Sequence, residues 1–397
     1  MNGSRRRAVL VVLDGVGAGA AHDADRYGDS ESNTLGHMAE AVGGARLPVL
    51  ESLGLGCAVS MRGVSAGITP RAAWGVMQPA SMGKDSTTGH WELLGVHLDR
   101  PFPTYPDGFP ADVIAEFARV TARGVLGNLA GSGTEIMDRF AGEQAATGKW
   151  IVYTSADSVF QVAAHESVIG LEELYAACAK ARALLQGPHN VSRVIARPFV
   201  GSAGSYRRTA NRRDFSTPPP GKTLLDALAE AGIARAGVGK VDDLMAGRGI
   251  SSQHVANNAE GIALIQAWIE GDGNPDVSHS GFLLANLVDF DQLFGHRNDV
   301  AGFYEALRQF DAALPAMLEG LRDGDLLAIT ADHGNDPTTS STDHARECVP
   351  LVVAGPGIHP RALGERSTFS DLGATIAEWF GIGFRGRGTS FLGDILA

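Results

Sequence analysis

An α/β fold is predicted, with a central, mostly parallel sheet flanked by helices and an α+β segment inserted into it. Three observations predict it. Apolar runs at Ala8–Leu13, Phe282–Val288 and Leu326–Thr330 each stop within two residues of an aspartate. Buried strands of open sheets do this where they deliver site residues from their C-terminal ends. Proline-rich crossings, with Pro101, Pro103, Pro106 and Pro110 on one side and Pro218, Pro219 and Pro220 on the other, mark the edges of a separate segment. Inside it the pattern changes to a strand over Ile151–Thr154, helical spacing over Leu171–Leu185 and a strand over Val191–Val200. The expected division is a metal-binding catalytic core from residues 1–99 and 221–397, with an inserted cap from 100–220.

Composition narrows the function. A chain of 397 residues with 44% hydrophobic content can build two domains with real cores. The net charge of −12 argues against a general nucleic-acid binder. An anionic substrate would need a local patch of positive charge. Cys57, Cys178 and Cys348 are widely spaced and form no CxxC pair, which reads as free thiols in a reducing, cytoplasmic setting. No apolar stretch is long enough to span a membrane. The basic start, Met1–Arg7, with the short run after it, only loosely imitates a signal peptide. No obligatory protein partner is inferred.

The elements, taken in order, gather one kind of chemistry. Ala8–Leu13 is apolar on both faces, as a central strand is, and Asp14 ends it. The following Gly15, Gly17 and Gly19 do not complete a G-x-G-x-x-G dinucleotide fingerprint. In Met82–Leu94, the hydroxyls Ser86, Thr87 and Thr88 precede a helical segment. A hydroxyl at a helix N-terminus can receive a phosphoryl group, because free N–H groups and the helix dipole favour the anion. The inserted segment carries Arg193 and Arg197, then Arg207, Arg208, Arg212 and Arg213, whose forks match phosphate oxygens. Lys240 follows a short strand back in the core. Asp289, Asp291 and His296 follow the strand Phe282–Val288, and Asp332, His333 and His344 follow Leu326–Thr330. Carboxylates and imidazoles together suit borderline divalent cations. Asp14, Asp291, His296, Asp332, His333 and His344 can converge at adjacent strand ends. Six such ligands and a hydroxyl are the number needed for two cations about 4 Å apart.

The segments GKDSTTGHWE, IVYTSADS, RVIARPFVG, NLVDFDQLFGHR and ITADHGNDPTTSSTDHARE resemble those of the prokaryotic phosphopentomutases of the alkaline phosphatase superfamily. The likeness runs over nearly the whole chain. It implies an alkaline-phosphatase-like core with an inserted cap, and two metal ions, usually Mn²⁺, with other divalent cations possible. It implies interconversion of α-D-ribose 1-phosphate and D-ribose 5-phosphate, and of the 2-deoxyribose pair, in nucleoside salvage. By the same resemblance, Asp14, Ser86, Asp332 and His333 surround one metal, and Asp291, His296 and His344 hold the other. Asp289 would stand behind the ligands. The phosphorylated hydroxyl follows Lys-Asp and is usually threonine in this family. Here it is Ser86, which leaves Thr87 and Thr88 as rivals. Ser155, Asp157, Arg193, Arg208 and Lys240 match stretches that hold the sugar phosphate. A sugar bisphosphate primer would restore phosphate lost from the enzyme. The alternatives are another two-metal phosphomutase or phosphatase, acting on phosphoglycerate or a modified sugar, and a non-catalytic sugar-phosphate binder.

Overall fold

The computed structural model describes residues 5–155, 157–271 and 280–396. These fall into two compact units: the chain up to Arg100 together with Pro219 onward, and Pro101–Pro218. The first unit opens with strands β1 (Arg7–Leu13) and β2 (Ala73–Met77). The second holds β3 (Val125–Ala130), β4 (Trp150–Thr154), β5 (Val159–His165), β6 (Arg193–Val200), β7 (Arg207–Arg208) and β8 (Arg213–Ser216). The first unit resumes with β9 (Ala234–Val238), β10 (Ser252–Gln253), β11 (Gly281–Leu287), β12 (Asp325–Thr330), β13 (Val349–Ala354) and β14 (Arg361–Arg366).

The eight-stranded sheet of the first unit runs β10-β9-β11-β1-β12-β13-β2-β14. Every pairing is parallel except those β13 makes with β12 and β2. β1, β11 and β12 are buried along their full lengths, which explains their unbroken apolar sequences. Helices Asn258–Glu270 and Val300–Gly320 pack together, and Ser370–Trp379 packs on both Ser86–Leu93 and Leu224–Glu230.

The register of β1 positions the site. Leu13 lies opposite Leu287, and Val12 opposite Thr330, so Asp14 emerges level with the residues that follow β11 and β12. At the far end of the same ladder Arg7 faces Asp325, and the two form a buried ion pair with Arg7 Nε 2.8 Å from Asp325 Oδ1. A one-residue slip would bury this pair without its partner and turn every side chain of β1 to the other face. Charge complementarity at one end of the strand thus fixes which groups meet at the other.

The sheet of the second unit runs β3-β4-β5-β6-β7, with β8 also paired to β6. Alternation along β4 serves two cores. Trp150 and Val152 join Phe117, Phe160 and Leu174, while Ile151 and Tyr153 join Ile136, Met137 and Phe199. The buried strands are therefore apolar on both faces. Polar exceptions are the buried Thr154 of β4 and Gln161 of β5, and Arg193 and Arg197 of β6, each arginine only partly buried.

Candidate active site

The first unit brings together all seven side chains expected around the metals. Asp14 leaves β1 with its amide donating to Leu287 O at 3.2 Å. Asp332 follows β12, and Gly15 N donates to its Oδ1 at 3.2 Å. His333 places Nε2 3.3 Å from Asp14 Oδ1 and 3.6 Å from Asp332 Oδ2. Past β11 the chain enters a π-helical turn, Phe290–Phe294, which aims Asp291 inward. His296 Nε2 lies 3.1 Å from Asp291 Oδ2, and His344 Nε2 lies 3.3 Å from Asp291 Oδ1. The ring centroids of His333 and His344 are 4.1 Å apart.

At this site two groups of potential ligand atoms form, each within a 4.8 Å span: Asp14, Asp332 and His333, and Asp291, His333 and His344. His333 belongs to both, and His296 joins through Asp291 and by a ring contact with His344, centroids 4.8 Å apart. Asp289 turns away. Its Oδ2 accepts from Asn258 N at 2.6 Å, and its own N–H donates to Asn258 Oδ1 at 3.0 Å. It ties the start of Asn258–Glu270 to the end of β11 and does not stand behind the ligands.

Ser86 is the first residue of the helix Ser86–Leu93, after Asp85 in the capping position. Its Oγ lies 3.0 Å from His333 Nε2 and 3.4 Å from Asp14 Oδ1. Thr88 is committed elsewhere, with Oγ1 donating to Asp85 Oδ2 at 2.6 Å and its N–H to Asp85 Oδ1 at 3.1 Å. Thr87 is buried. Of the three hydroxyls, it is that of Ser86 that meets the carboxylates and imidazoles. Gly89 allows this helix to rest on the Asp332 backbone, since a Cβ there would collide with the Asp332 carbonyl. His90, one turn below Ser86, sets Nδ1 2.9 Å from Ser86 O and 3.1 Å from Asp332 Oδ2.

The electrostatics call for added positive charge. Burial opposes ionisation of Asp291, but His344, His296 and His333 outweigh it and hold its carboxyl well below the usual range. Burial likewise opposes the charge on Asp332, which His333 and His90 bring below the ordinary value. Burial, then the neighbouring Asp332 charge, pushes Asp14 up. Asp291 in turn raises His296 to about 9. His333 is raised well above its ordinary value, because Asp332 and Asp14 outweigh its burial. In the metal-free chain, protons on His296 and His333 thus supply the charge that a cation would supply. Asp332 Oδ2 and His344 Nε2 are also buried without an aligned hydrogen-bond partner. A lone pair left unpaired beside other ligand atoms fits a divalent ion, and the donor set fits manganese or zinc.

The loops that carry the ligands are locked by the two residues after Ala345. Arg346 Nε donates to Asp23 Oδ1 at 2.9 Å, Nη2 to Pro79 O at 2.9 Å, and Nη1 to Ser81 O and Gly83 O at 2.6 Å each. One guanidinium therefore ties the segment leading to Ser86 to the segment carrying His344. Glu347 accepts from Gly19 N at 3.0 Å and from Thr34 Oγ1 at 2.7 Å. Gly17 and Gly334 pack so closely on its carboxylate that neither has room for a Cβ.

Burial pushes the Glu347 carboxyl up to about 7, against the pull of its Thr34 and Gly19 partners. A raised folded-state pKa favours the protonated form. The associated stability is full below the unfolded carboxyl value and is lost as pH rises through about 7. In the metal-free protein, Glu347→Gln is expected to remove about 3 kcal/mol of the stability difference between pH 4 and 8. Denaturant titrations of both proteins at the two pH values measure it, and parallel pH profiles would contradict it.

The remaining expected substrate residues occupy defined places. Lys240 caps the short helix after β9, and its Nζ donates to Gln292 Oε1 at 2.7 Å, next to Asp291. In the second unit, Ser155 follows β4 and Asp157 precedes β5. Arg193 starts β6 beside them, its N–H donating to Ser158 O at 3.4 Å. Its Nη1 lies 3.5 Å from Asp214 Oδ2. Arg208 pairs with Phe199 at the other end of β6, and its guanidinium fills the space that a Cβ on Gly133 would need. Arg197 donates to Gln161 Oε1 at 2.9 Å, and burial pushes its guanidinium down to about 10. The sequence reading missed His90, Asn286, Asn335, Arg346 and Glu347 as parts of the site. All five lie inside or beside the segments singled out, but no spacing rule marks them.

The chain is similar to several known proteins. The Metalloenzyme superfamily matches residues 6–383. A phosphopentomutase from Caldanaerobacter subterraneus subsp. tengcongensis is 52% identical over 393 residues, covering 98% of each chain. One from Anaeromyxobacter dehalogenans is 52% identical over 397 residues, covering 100% of each. Among solved structures, a protein in the alkaline phosphatase superfamily from Vibrio parahaemolyticus covers 100% of this chain and 72% of its own, at 12% identity and a TM-score of 0.44. The chain is a metal-binding isomerase of the intramolecular phosphotransferase class, and it belongs to the phosphopentomutase family within the Metalloenzyme superfamily.

Proposed function

We propose that the chain interconverts α-D-ribose 1-phosphate and D-ribose 5-phosphate, and the 2-deoxyribose pair, through a phosphoserine at Ser86 and a pentose 1,5-bisphosphate, in nucleoside salvage. One observation carries the reading: the Ser86 hydroxyl stands 3.0 Å from His333 Nε2 and 3.4 Å from Asp14 Oδ1, at the meeting point of both ligand groups. The naming of full-length relatives supports a pentose phosphate as substrate.

In this proposal Asp14, Asp332 and His333, with Ser86, hold one divalent cation, and Asp291, His296 and His344 hold the other. Manganese is the expected ion. When bound, such a pair ionises the acceptor hydroxyl, neutralises phosphoryl oxygens and keeps donor and acceptor in line. Phosphorylated Ser86 gives its phosphoryl group to the free hydroxyl of the pentose phosphate. The bond to Oγ breaks as the bond to the sugar oxygen forms, and the proton lost by the sugar hydroxyl is taken up, net, by the freed Ser86 Oγ. The bisphosphate turns, and its other phosphoryl group returns to Ser86. The first-turn N–H groups of Ser86–Leu93 favour the phosphate dianion there. Arg193 and Arg208 offer planar forks to phosphate oxygens, Ser155 and Asp157 offer hydrogen bonds to sugar hydroxyls, and Lys240 offers a point charge. The unit Pro101–Pro218 then acts as a cap and the other unit as the catalytic core. A sugar bisphosphate primer reloads Ser86 whenever the intermediate escapes.

Among the described residues no helix is long and apolar enough to cross a membrane. The three cysteines are free, which supports work in the reducing cytoplasm. A coupled assay in manganese tests the reading, with and without a sugar bisphosphate primer. Conversion of ribose 1-phosphate, accelerated by primer, is expected. Preferential turnover of phosphoglycerate would overturn the pentose assignment, and no turnover of either would favour a binding protein.

A further inference from the structure

Two neutral amide side chains touch the ligand carboxylates. Asn286, on β11, is 1% exposed and donates Nδ2 to Asp14 Oδ2 at 2.9 Å. Asn335, two residues past His333, is fully buried and donates Nδ2 to Asp291 Oδ1 at 2.7 Å. An ionised carboxylate only accepts, so the nitrogen end of each amide must face it. The opposite end, Oδ1, is buried without a partner in both asparagines. Each amide is thus placed for its N–H group alone. An aspartate could not donate there and would set a like charge against the ligand.

On Asp14 the two carboxylate oxygens have separate duties. Oδ2 takes the Asn286 N–H, while Oδ1 faces Ser86 at 3.4 Å and His333 at 3.3 Å. On Asp291, Oδ1 takes the Asn335 N–H and also lies 3.3 Å from His344 Nε2, while Oδ2 faces His296 at 3.1 Å. The main chain of Asn335 is held independently, its N–H donating to Thr34 Oγ1 at 3.1 Å, and Thr34 Oγ1 donating to Glu347 at 2.7 Å. Truncating the Asn335 side chain therefore leaves its loop anchored.

We infer that Asn286 and Asn335 are positioning residues, one for each cation, that fix the orientation of Asp14 and Asp291 by occupying one carboxylate oxygen of each. Hydrogen bonds to metal-ligating groups set their orientation, and losing such a partner weakens metal affinity by about 10–100-fold. This rests on the two-cation reading above, and the two asparagines act on different sites.

The test is direct Mn²⁺ binding, read from the electron paramagnetic resonance signal of free Mn²⁺. Asp291→Ala isolates the Asp14 group, and Asp14→Ala isolates the Asp291 group. In the first background Asn286→Ala is expected to weaken binding by about 10–100-fold while Asn335→Ala leaves it unchanged. In the second the pattern reverses. The near-isosteric Asn286→Leu and Asn335→Leu repeat the test wherever an alanine variant fails to fold. Unchanged affinity, or equal weakening at both sites, overturns the inference. Absence of paired binding in the unsubstituted protein would instead sink the two-cation reading.

Discussion

Ser86→Ala is expected to lower mutase turnover by on the order of 10⁴-fold or more while the protein retains its bound cations. The two halves of this expectation have separate physical causes. Turnover needs an oxygen that can accept and release a phosphoryl group, and alanine has none. Cation affinity comes mainly from carboxylates and imidazoles, and the two groups Asp14–Asp332–His333 and Asp291–His333–His344 survive the substitution. The neighbouring hydroxyls offer no rescue. Thr88 Oγ1 is 2.6 Å from Asp85 Oδ2, where it helps cap the helix, and Thr87 is buried. Moving either to the cluster would require unwinding the first turn. Ser86→Thr is a different case, because it keeps the hydroxyl on the same helical position and adds one methyl. Activity within about tenfold of the parent is expected there. Mass spectrometry after incubation with a sugar bisphosphate checks both variants. A phosphoryl adduct on Thr87 or Thr88 in Ser86→Ala, with full turnover, would relocate the acceptor.

The contrast between Ser86 and its neighbours shows what was legible in the chain and what was not. Position at a helix start narrowed the acceptor to three hydroxyls and the resemblance favoured Ser86, but the helical turn decides which one faces Asp14. The strands were easier. β1, β11 and β12 are apolar on both faces because they are buried on both faces, and a carboxylate placed just past such a run lies at the C-terminal end of the strands. Asp289 and Asp291 mark the limit of that rule. Two residues apart, they would share a face on a strand, but the chain has already entered the π-helical turn Phe290–Phe294. One aspartate therefore turns to the Asn258 amide and the other to the imidazoles. Asn286 and Asn335 escaped notice because a neutral amide has no spacing signature, and its role follows only from the carboxylate it meets. The arginines of the second unit were equally visible as a cluster. Where the Arg208 guanidinium ends, against Gly133, depends on the pairing of a two-residue strand that no local pattern specifies.

Metal affinity is expected to collapse in acid, and the slope can be derived from the imidazoles. His296 is raised to about 9 by Asp291, and His333 is raised well above its ordinary value by Asp332 and Asp14. Both are therefore protonated in the metal-free protein near neutral pH. The sign for the metal-free fold is that the His296 proton contributes stability below the unfolded histidine value, and this is lost as pH rises through about 9. A cation must displace those protons, because a ligating imidazole is neutral. Each proton displaced makes binding weaker by about tenfold per pH unit below the relevant pKa, so affinity falls as pH drops below about 9 through His296, and further through the raised His333. Titration with Mn²⁺ at pH 6, 7 and 8 measures the slope, and an indicator dye counts the protons released. His296→Gln should remove the His296 proton and lessen the logarithmic slope. The carboxylates then remain as ligands, so binding persists with a shallower pH dependence. An affinity that stays flat from pH 8 to 6, with no proton release, would mean that cations do not replace protons on these rings. The imidazoles would then be structural partners of Asp291 and Asp332, and the metal centre would have to be sought elsewhere in the chain.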